Sequence, residues 1–332
     1  MNSFPRRHPL TVTLFKALAD GTRIRLLRLL IKHELSVNEL VKVLKMGQSR
    51  ISRHLRVLSD AGLLTSRRDG LWVFYHADAD GAQKGFLKAV APYLEDIPEG
   101  PEDTVHCNRL LEEKNAKTRQ FFNSVAEDWD NLSKEVLEGF DLPQTVCDVM
   151  PEHCRLAVDL GCGTGTVLVR MLSRAEGVVG VDGSQAMLDI CRKRFSDIPG
   201  AEQKISLRLG GLDHLPLRDQ EADFASINLV LHHLEELSPA LAEARRILNG
   251  QGRLFISDFL RHDDETMRTR FGDRWLGFEE SKLAIFLREA GFNRTHIRKQ
   301  KVGRGLTLLL VTSYVDPGSS RLTLSPPTTS SL

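Results

Sequence analysis

Apolar residues recur at helical spacing along the front of the chain and then change to a two-residue alternation. The pattern predicts helices over 10–18 and 22–31, a short helix capped by Ser36 with Glu39 at capping-box spacing, and a helix over 48–61 closed by Gly62. Two alternating runs around an Asp-Gly turn predict a β-hairpin, and residues 83–94 predict another amphipathic helix. This order of elements is that of an α+β winged helix-turn-helix.

From residue 157 onward, short apolar runs alternate with helical stretches. The runs are AVDL, GVVGVD, ISLRLG, ADFASINLV, GRLFISDFL and LTLLLVTSY. Strands that alternate with helices predict parallel βαβ units, so we expect a doubly wound, Rossmann-like α/β domain. We therefore divide the chain into a winged-helix domain over 8–94, a linker over 95–117, an α/β domain over 118–315 and a disordered tail over 316–332.

Composition supports two domains with different partners. The chain has 332 residues, which is longer than a single domain with one hydrophobic core usually is. Residues 1–93 carry a net charge of +9 and the remainder −8, so a polyanion is expected to bind the front alone. The chain has no apolar run of membrane-spanning length, and its first ten residues lack the apolar core of a secretory signal. Its five scattered cysteines fit a reducing compartment. We therefore expect a cytoplasmic protein.

The helix predicted over 48–61 presents a polar, cationic face. Arginine and glutamine can pair with base edges in the major groove, and serine and histidine can contact phosphate. A solvated helix in a generic bundle is the alternative. We expect contacts with double-stranded DNA from Gln48, Ser49, Arg50, Ser52, Arg53 and His54 on this helix, and from Arg67 and Arg68 on the hairpin.

The run QSRISRHLRVLSDAGLLTSRRDGLWVFYHAD strongly resembles the ArsR-type winged-helix repressors, over residues 8–93. The resemblance implies a homodimer, built from the first helix and the helix at 83–94, that binds an inverted-repeat operator. Metal-sensing members carry two cysteines in an ELCVCDL-like stretch, where this chain reads ELSVNEL with Ser36 and Asn38. Because neither residue is a thiolate ligand, we expect no metal there and name no metal ligand elsewhere.

The stretch AVDLGCGTGTVL places a glycine-rich turn directly after a strand and before a helix. Glycines allow the sharp turn and let a ligand approach the backbone. Asp159 precedes the turn, and the next strand ends in Asp182, where a carboxylate can accept both hydroxyls of a ribose. A Rossmann domain without a ligand is the alternative.

The turn, Asp182 and the following SQAML resemble the class I S-adenosylmethionine-dependent methyltransferases over residues 118–315. The resemblance implies that the domain binds S-adenosylmethionine or S-adenosylhomocysteine. Gly211 stands where the family has an adenine-contacting aspartate, which Asp213 would replace. The implied ligand-binding residues are Asp159, Gly161, Cys162, Gly163, Gly165, Asp182, Gly183, Ser184, Met187, Gly211, Leu212, Asp213, Asn228 and His233.

Two further groups admit more than one interpretation. His232 and His233 follow the fourth strand, and we expect them to serve packing and hydrogen bonding rather than as metal ligands or bases. Phe122, Asp128 and Trp129 resemble the aromatic arm that closes over the ligand in this family, although core packing explains them equally well. We identify no catalytic residue.

The stretch from Ser257 to Phe292 resembles proteins in which an ArsR-type module is fused to a methyltransferase-like domain, the SahR-like regulators of the methionine cycle among them. We therefore expect a DNA-binding repressor with an S-adenosyl effector. The alternative is a methyltransferase that acts on a small molecule, with the winged helix as a regulatory module. Since no NPPY-type tetrapeptide follows the fourth strand, base or amide N-methylation is disfavoured.

Overall fold

The computed structural model describes residues 10–69, 72–78 and 81–315. The chain divides into two compact units, residues 1–117 and 118–332. The tail predicted over 316–332 and Gly70 of the predicted hairpin turn lie outside the described residues. No helix in the described part of the chain combines the length and apolarity needed to cross a membrane.

The first unit is a winged helix-turn-helix. Its antiparallel sheet has the strand order β1-β3-β2. Ser36 and Glu39 form the predicted capping box at the start of the third helix, and Gly62 has a φ of 72° just after the fourth. The elements are α1 (Leu10–Leu18), α2 (Gly21–Lys32), β1 (Leu35–Ser36), α3 (Val37–Leu44), α4 (Gln48–Asp60), β2 (Leu64–Asp69), β3 (Trp72–Ala77), α5 (Lys84–Val90), a 3-10 turn (Ala91–Leu94) and α6 (Gly100–Val125).

The segment predicted as a linker, 95–117, is mostly helical and packs into the first unit. Asp103, on α6, is buried and accepts two hydrogen bonds from Arg25 at 2.7 and 2.5 Å. Cys107, one turn further along, lies in the core of the same unit. Two acidic residues of this segment pair with arginines of α2, because Glu95 also binds Arg28.

The second unit alternates helices and strands as the pattern predicts. All six predicted apolar runs form strands. Its elements are a 3-10 turn (Ala126–Asp128), α7 (Trp129–Leu137), α8 (Leu142–Asp148), β4 (Leu156–Leu160), α9 (Thr166–Met171), β5 (Gly177–Asp182), α10 (Gln185–Ser196), β6 (Ile205–Leu209), β7 (Ala222–Asn228), a 3-10 turn (Leu231–His233), α11 (Leu237–Ile247), β8 (Leu248–Phe259), a π-helical turn (Met267–Phe271), α12 (Glu280–Glu289), β9 (Phe292–Lys301) and β10 (Thr307–Val315).

These strands form a seven-stranded sheet in the order β6-β5-β4-β7-β8-β10-β9. The first five pair in parallel, and β10 runs antiparallel to both neighbours. The apolar runs predict parallel units throughout and do not include β9, whose residues are mostly exposed and basic (FNRTHIRKQK). With β9 inserted as a hairpin partner, β10 must enter the sheet in the opposite direction.

Two apolar layers cover the two faces of this sheet. Neighbouring residues of β4 alternate between them: Ala157 packs with α8, α9 and α10, whereas Val158 packs with α11 and α12. The doubly wound, Rossmann-like fold is thereby confirmed. It brings the carboxyl ends of β4, β5, β6 and β7 to one edge, where parallel α/β sheets bind ligands.

Candidate ligand and DNA sites

The glycine-rich turn between β4 and α9 depends on backbone conformations that favour glycine. Gly161, Gly163 and Gly165 have φ values of 77°, 52° and 83°. A Cβ on Gly161 would lie 2.4 Å from Val230, and one on Gly165 would lie 2.4 Å from the Cys191 sulfur. A Cβ on Gly163 would meet nothing closer than Trp129, at 3.7 Å. Packing therefore requires glycine at 161 and 165. Glycine at 163 leaves the backbone of the turn without a side chain over it.

Asp182 ties this turn to the end of β5. One carboxylate oxygen accepts the N–H of Gly163 and the other accepts the N–H of Ser184, both at 2.8 Å. Burial raises the pKa of Asp182, and the backbone donors oppose that rise. Ser184 in turn caps α10 by accepting the N–H of Met187. Each carboxylate oxygen keeps a lone pair for a further donor.

Asp159 lies deeper than Asp182 and faces β7. Its Oδ1 accepts the hydroxyl proton of Ser226 at 2.5 Å and the side-chain amide of Asn228 at 3.0 Å. Burial raises the pKa of Asp159 to about 6, against the effect of these two hydrogen bonds. Both predicted residues, Asp159 and Asn228, are thus joined directly, and Ser226 is a partner that the sequence did not reveal.

Gly211 and Asp213 lie close together just after β6. A Cβ on Gly211 would lie 2.5 Å from a carboxylate oxygen of Asp213. The Asp213 carboxylate therefore occupies the space into which a side chain at 211 would project. Leu212 is buried between them, and Asp213 is exposed.

An aromatic arm at the end of α6 and the start of α7 lies against the turn. The Phe122 ring packs edge-on against Trp129 at 5.3 Å and against His233 at 4.7 Å, measured between ring centroids. Asn123 accepts the hydroxyl proton of Ser184 at 2.6 Å, and Asp130 accepts that of Thr164 at 2.5 Å. Asp128 is exposed and gives no such contact in the described chain. Two hydrogen-bonding residues that sequence reasoning missed, Asn123 and Asp130, thus fix the arm.

His232 and His233 follow a strained turn after β7. Leu229 has a φ of 55°, which a branched side chain rarely adopts, and it redirects the chain toward the two histidines. The Nδ1 of His232 lies 2.7 Å from a carboxylate oxygen of Asp258, and that of His233 lies 3.2 Å from the carbonyl of Gly272. Both rings are buried.

In the first unit, α4 exposes most of the residues predicted to contact DNA. Apolar side chains at 51, 55 and 58 anchor the helix to the core, which turns the polar face outward. His54 is an exception, because its side chain is 12% exposed and its Nδ1 lies 3.7 Å from Asp20. The exposed predicted residues are Gln48, Ser49, Arg50, Ser52 and Arg53.

The two arginines of the hairpin differ in their surroundings. Arg67 donates to both carboxylate oxygens of Glu34, at 3.2 and 3.0 Å, and its guanidinium lies 4.8 Å from the centre of the Phe74 ring. Arg68 points to the other face of β2 and is exposed. The alternation along the strand that exposes Arg68 turns Arg67 toward Glu34, and the DNA contact of Arg67 stays a prediction.

Comparisons with known proteins agree with this division. Residues 20–66 match the family described as bacterial regulatory protein, arsR family, and residues 158–256 match the family described as methyltransferase domain. The arsenic resistance transcriptional regulator ArsR1 of Pseudomonas putida is 38% identical over 108 residues, which cover 28% of this chain and 84% of that protein. The chain belongs to the ArsR family. Its helix-turn-helix implies DNA binding.

This ArsR-family protein continues into a methyltransferase domain, a family that implies an S-adenosyl ligand. The ubiquinone/menaquinone biosynthesis C-methyltransferase UbiE of Acidiphilium cryptum is 33% identical over 153 residues, 45% of this chain and 61% of that enzyme. The [4+2]-cyclase SpnF aligns with a TM-score of 0.51 at 17% identity, covering 60% of this chain and 95% of that one, which shows the fold alone. The chain spans 29% and 61% of the lengths of the first two curated relatives it matches.

Proposed function

We propose that this ArsR-family protein is a transcriptional repressor whose affinity for DNA is set by S-adenosylhomocysteine or S-adenosylmethionine bound to its methyltransferase domain, and that it controls methionine-cycle genes. One observation carries the ligand assignment. Asp182 is held at the end of β5 by the N–H groups of Gly163 and Ser184 while keeping lone pairs for two more donors, as a vicinal pair of ribose hydroxyls requires.

The rest of this edge of the sheet fits the same ligand. Gly163 leaves room for a small group close to the backbone, beside the indole of Trp129. The Asp213 carboxylate lies where a side chain at 211 would project, which supports the proposal that Asp213 takes over the adenine contact of the aspartate that Gly211 replaces. Asp159 and Asn228 would face the amino-acid end of the ligand from β4 and β7.

The front unit is proposed to act as a homodimer. Three large apolar side chains are exposed on α1 and on the turn after α5, namely Leu10 (57%), Phe15 (60%) and Tyr93 (79%). Phe15 packs edge-on against Phe86 of α5, so these helices form one apolar surface of the kind that a partner subunit covers. Dimerisation would present two copies of α4 to an inverted-repeat operator.

Regulation requires that the ligand bind the DNA-bound and released states with different affinity, because equal binding would shift neither. The aromatic arm could link ligand binding to DNA binding. Phe122 and Asn123, which contact the ligand-binding edge, belong to α6, and the same helix contributes Asp103 and Cys107 to the core of the first unit. A ligand that changes the order of the arm would therefore act on a helix that the DNA-binding unit needs.

The second candidate function is methylation of a small molecule, with the winged helix as its regulator. The similarity to the C-methyltransferase UbiE favours it. A bound S-adenosylmethionine would supply the methyl group, and the chain would contribute chiefly the position of the acceptor and exclusion of water by the arm.

Titration of DNA binding with each ligand tests the regulator. The full chain would be bound to a DNA fragment that it selects from a random-sequence pool, and S-adenosylhomocysteine and S-adenosylmethionine would be added separately. We expect at least one of them to change the Kd for DNA by about 5- to 150-fold, the usual range of allosteric coupling. If neither changes it, the regulator proposal is wrong, and methyl transfer to an acceptor would then support the enzyme.

Asp182→Asn separates ligand binding from DNA binding. The substitution removes a charge that accepts hydrogen bonds, so we expect about 10- to 150-fold weaker binding of S-adenosylhomocysteine by calorimetry, and loss of the effect on DNA. The Kd for DNA without ligand should stay unchanged. Asp189→Asn is the matched control, because Asp189 is an exposed carboxylate of the same unit paired with Arg192. A loss of ligand-free DNA binding in Asp182→Asn alone would overturn this separation of roles.

A further inference from the structure

Beside the candidate ligand site lies a buried group of metal-ligating side chains. Within residues 10–69, 72–78 and 81–315, one group of three such residues brings its ligand atoms within 4.8 Å of one another: His232, His233 and Asp273. The histidines belong to the turn Leu231–His233, and Asp273 follows the π-helical turn Met267–Phe271. Two loops distant in the sequence therefore bring these side chains together inside the domain.

His232 is oriented by a carboxylate on its other ring nitrogen. Its Nδ1 lies 2.7 Å from Asp258 at the end of β8, and its Nε2 lies 3.6 Å from Oδ1 of Asp273. A histidine that donates its Nδ1 proton to a carboxylate presents the lone pair of Nε2, and this carboxylate–histidine arrangement recurs around protein-bound metals. The hydrogen bond to Asp258 thus orients the imidazole so that its Nε2 lies toward Asp273.

Several buried polar atoms of the group lack a hydrogen-bond partner among the described residues. Neither oxygen of Asp273, a side chain with 0% exposure, has a hydrogen-bond partner in the described part of the chain, and the same holds there for Nε2 of His233. Nδ1 of His233 lies 4.0 Å from Oδ1 of Asp273. Buried polar atoms are nearly always paired in native proteins, so this concentration points to a partner that is not a protein atom.

The charges of the group point to a cation. Asp258 and Asp273 are two fully buried carboxylates on opposite ring nitrogens of one histidine, His232, at 2.7 and 3.6 Å. Even a protonated His232 would leave one negative charge unbalanced. Arg268 attracts Asp273, but its guanidinium donates to Glu265 and to the carbonyl of Arg274. A divalent ion would balance both carboxylates and let both imidazoles remain neutral.

We propose that His232, His233 and Asp273 bind a divalent first-row transition metal ion, with Asp258 as the supporting carboxylate. Two imidazoles and one carboxylate form a donor set that suits Zn²⁺ and its neighbours. The ion would tie the turn after β7, where Phe122 of the arm packs on His233, to the segment after β8, where Phe121 packs on Gly272. The proposal does not depend on an S-adenosyl ligand or on DNA.

The test uses full-length protein stripped with a chelator and titrated with Zn²⁺ by calorimetry and with Co²⁺ by absorption. We expect one equivalent of each ion, a rise in Tm with Zn²⁺, and Co²⁺ ligand-field bands without a thiolate charge-transfer band. The last readout excludes the five buried thiols as ligands. No binding, or a thiolate band, would overturn the proposal.

Variants assign the site. Asp258→Asn should weaken metal binding by about 10- to 100-fold, the usual cost of losing a supporting group, and Asp273→Asn should weaken it more. His153→Ala, an exposed histidine of the same unit, is the control and should bind as the natural chain does. His232→Ala should also weaken metal binding, but it removes a buried ring. Asp273→Asn preserves side-chain size, so it tests the site even if His232→Ala does not fold. Unchanged affinity in folded Asp273→Asn would show that the ion binds elsewhere.

Discussion

Helix α4, which we propose contacts DNA, and the glycine-rich turn after β4 would bind their ligands in opposite ways. On α4, function is assigned to exposed side chains such as Arg53, which contribute little to the core. At the turn, function is assigned to the backbone, and the residues that shape it have no side chain because Val230 and Cys191 fill the space. Substitutions on the helix should therefore change binding and leave stability intact, whereas substitutions in the turn should change stability first.

The largest effect is expected at Gly161. Its replacement by alanine imposes a φ of 77° on a residue with a Cβ, and that Cβ would lie 2.4 Å from Val230. Strain in the left-handed region costs about 1–2 kcal/mol, and forcing an atom into a packed core costs about 1–3 kcal/mol more. We expect Gly161→Ala to lower the free energy of unfolding by about 2–5 kcal/mol, measured by urea denaturation.

Gly200→Ala is its matched control. Gly200 has a nearly equal φ of 75°, but a Cβ there would have no atom within 4 Å. We expect only the strain, about 1–2 kcal/mol. Equal losses in both variants would show that the close approach of Val230 does not constrain the turn.

The next effect is expected on α4. Arg53→Ala should weaken binding of the selected DNA fragment by about 1–3 kcal/mol if the guanidinium reads a base, and the free energy of unfolding should change by less than about 0.5 kcal/mol. Arg109→Ala, an exposed arginine of α6 in the same unit, is the control and should leave DNA binding unchanged. A similar loss in both variants would indicate a general effect of positive charge, and α4 would lose its assigned role.

Features that depend on residues close together in the sequence were predictable. The capping box at Ser36 and the glycine-rich turn were predictable, because each depends on residues close together in the chain. The central parallel strands β4, β5 and β7 were predictable because burial on both faces leaves largely apolar runs. The basic strand β9 has no such run, so its hairpin with β10 was missed.

Partners distant in the sequence were not predictable at all. Nothing in the local pattern links Asn123 to Ser184 or Asp273 to His232, since only the folded chain brings these loops together. The same limit applies to His54, whose DNA contact stays a prediction although its side chain is mostly buried beside Asp20. A helical pattern gives the angular position of a side chain, but not the neighbour, here Asp20, that lies beside it.

The smallest effect separates the two arginines of the hairpin. Arg68 is exposed, so Arg68→Ala should reduce the slope of log Kd against log salt concentration by about 1, the signature of one lost phosphate contact. Arg67 instead binds both oxygens of Glu34, so Arg67→Ala should leave that slope unchanged and lower the free energy of unfolding by about 1 kcal/mol or less. DNA titrations at several salt concentrations, with urea denaturation alongside, distinguish the two. A reduced slope in Arg67→Ala would mean that this arginine leaves Glu34 to reach DNA, and the hairpin would then act through both of its arginines.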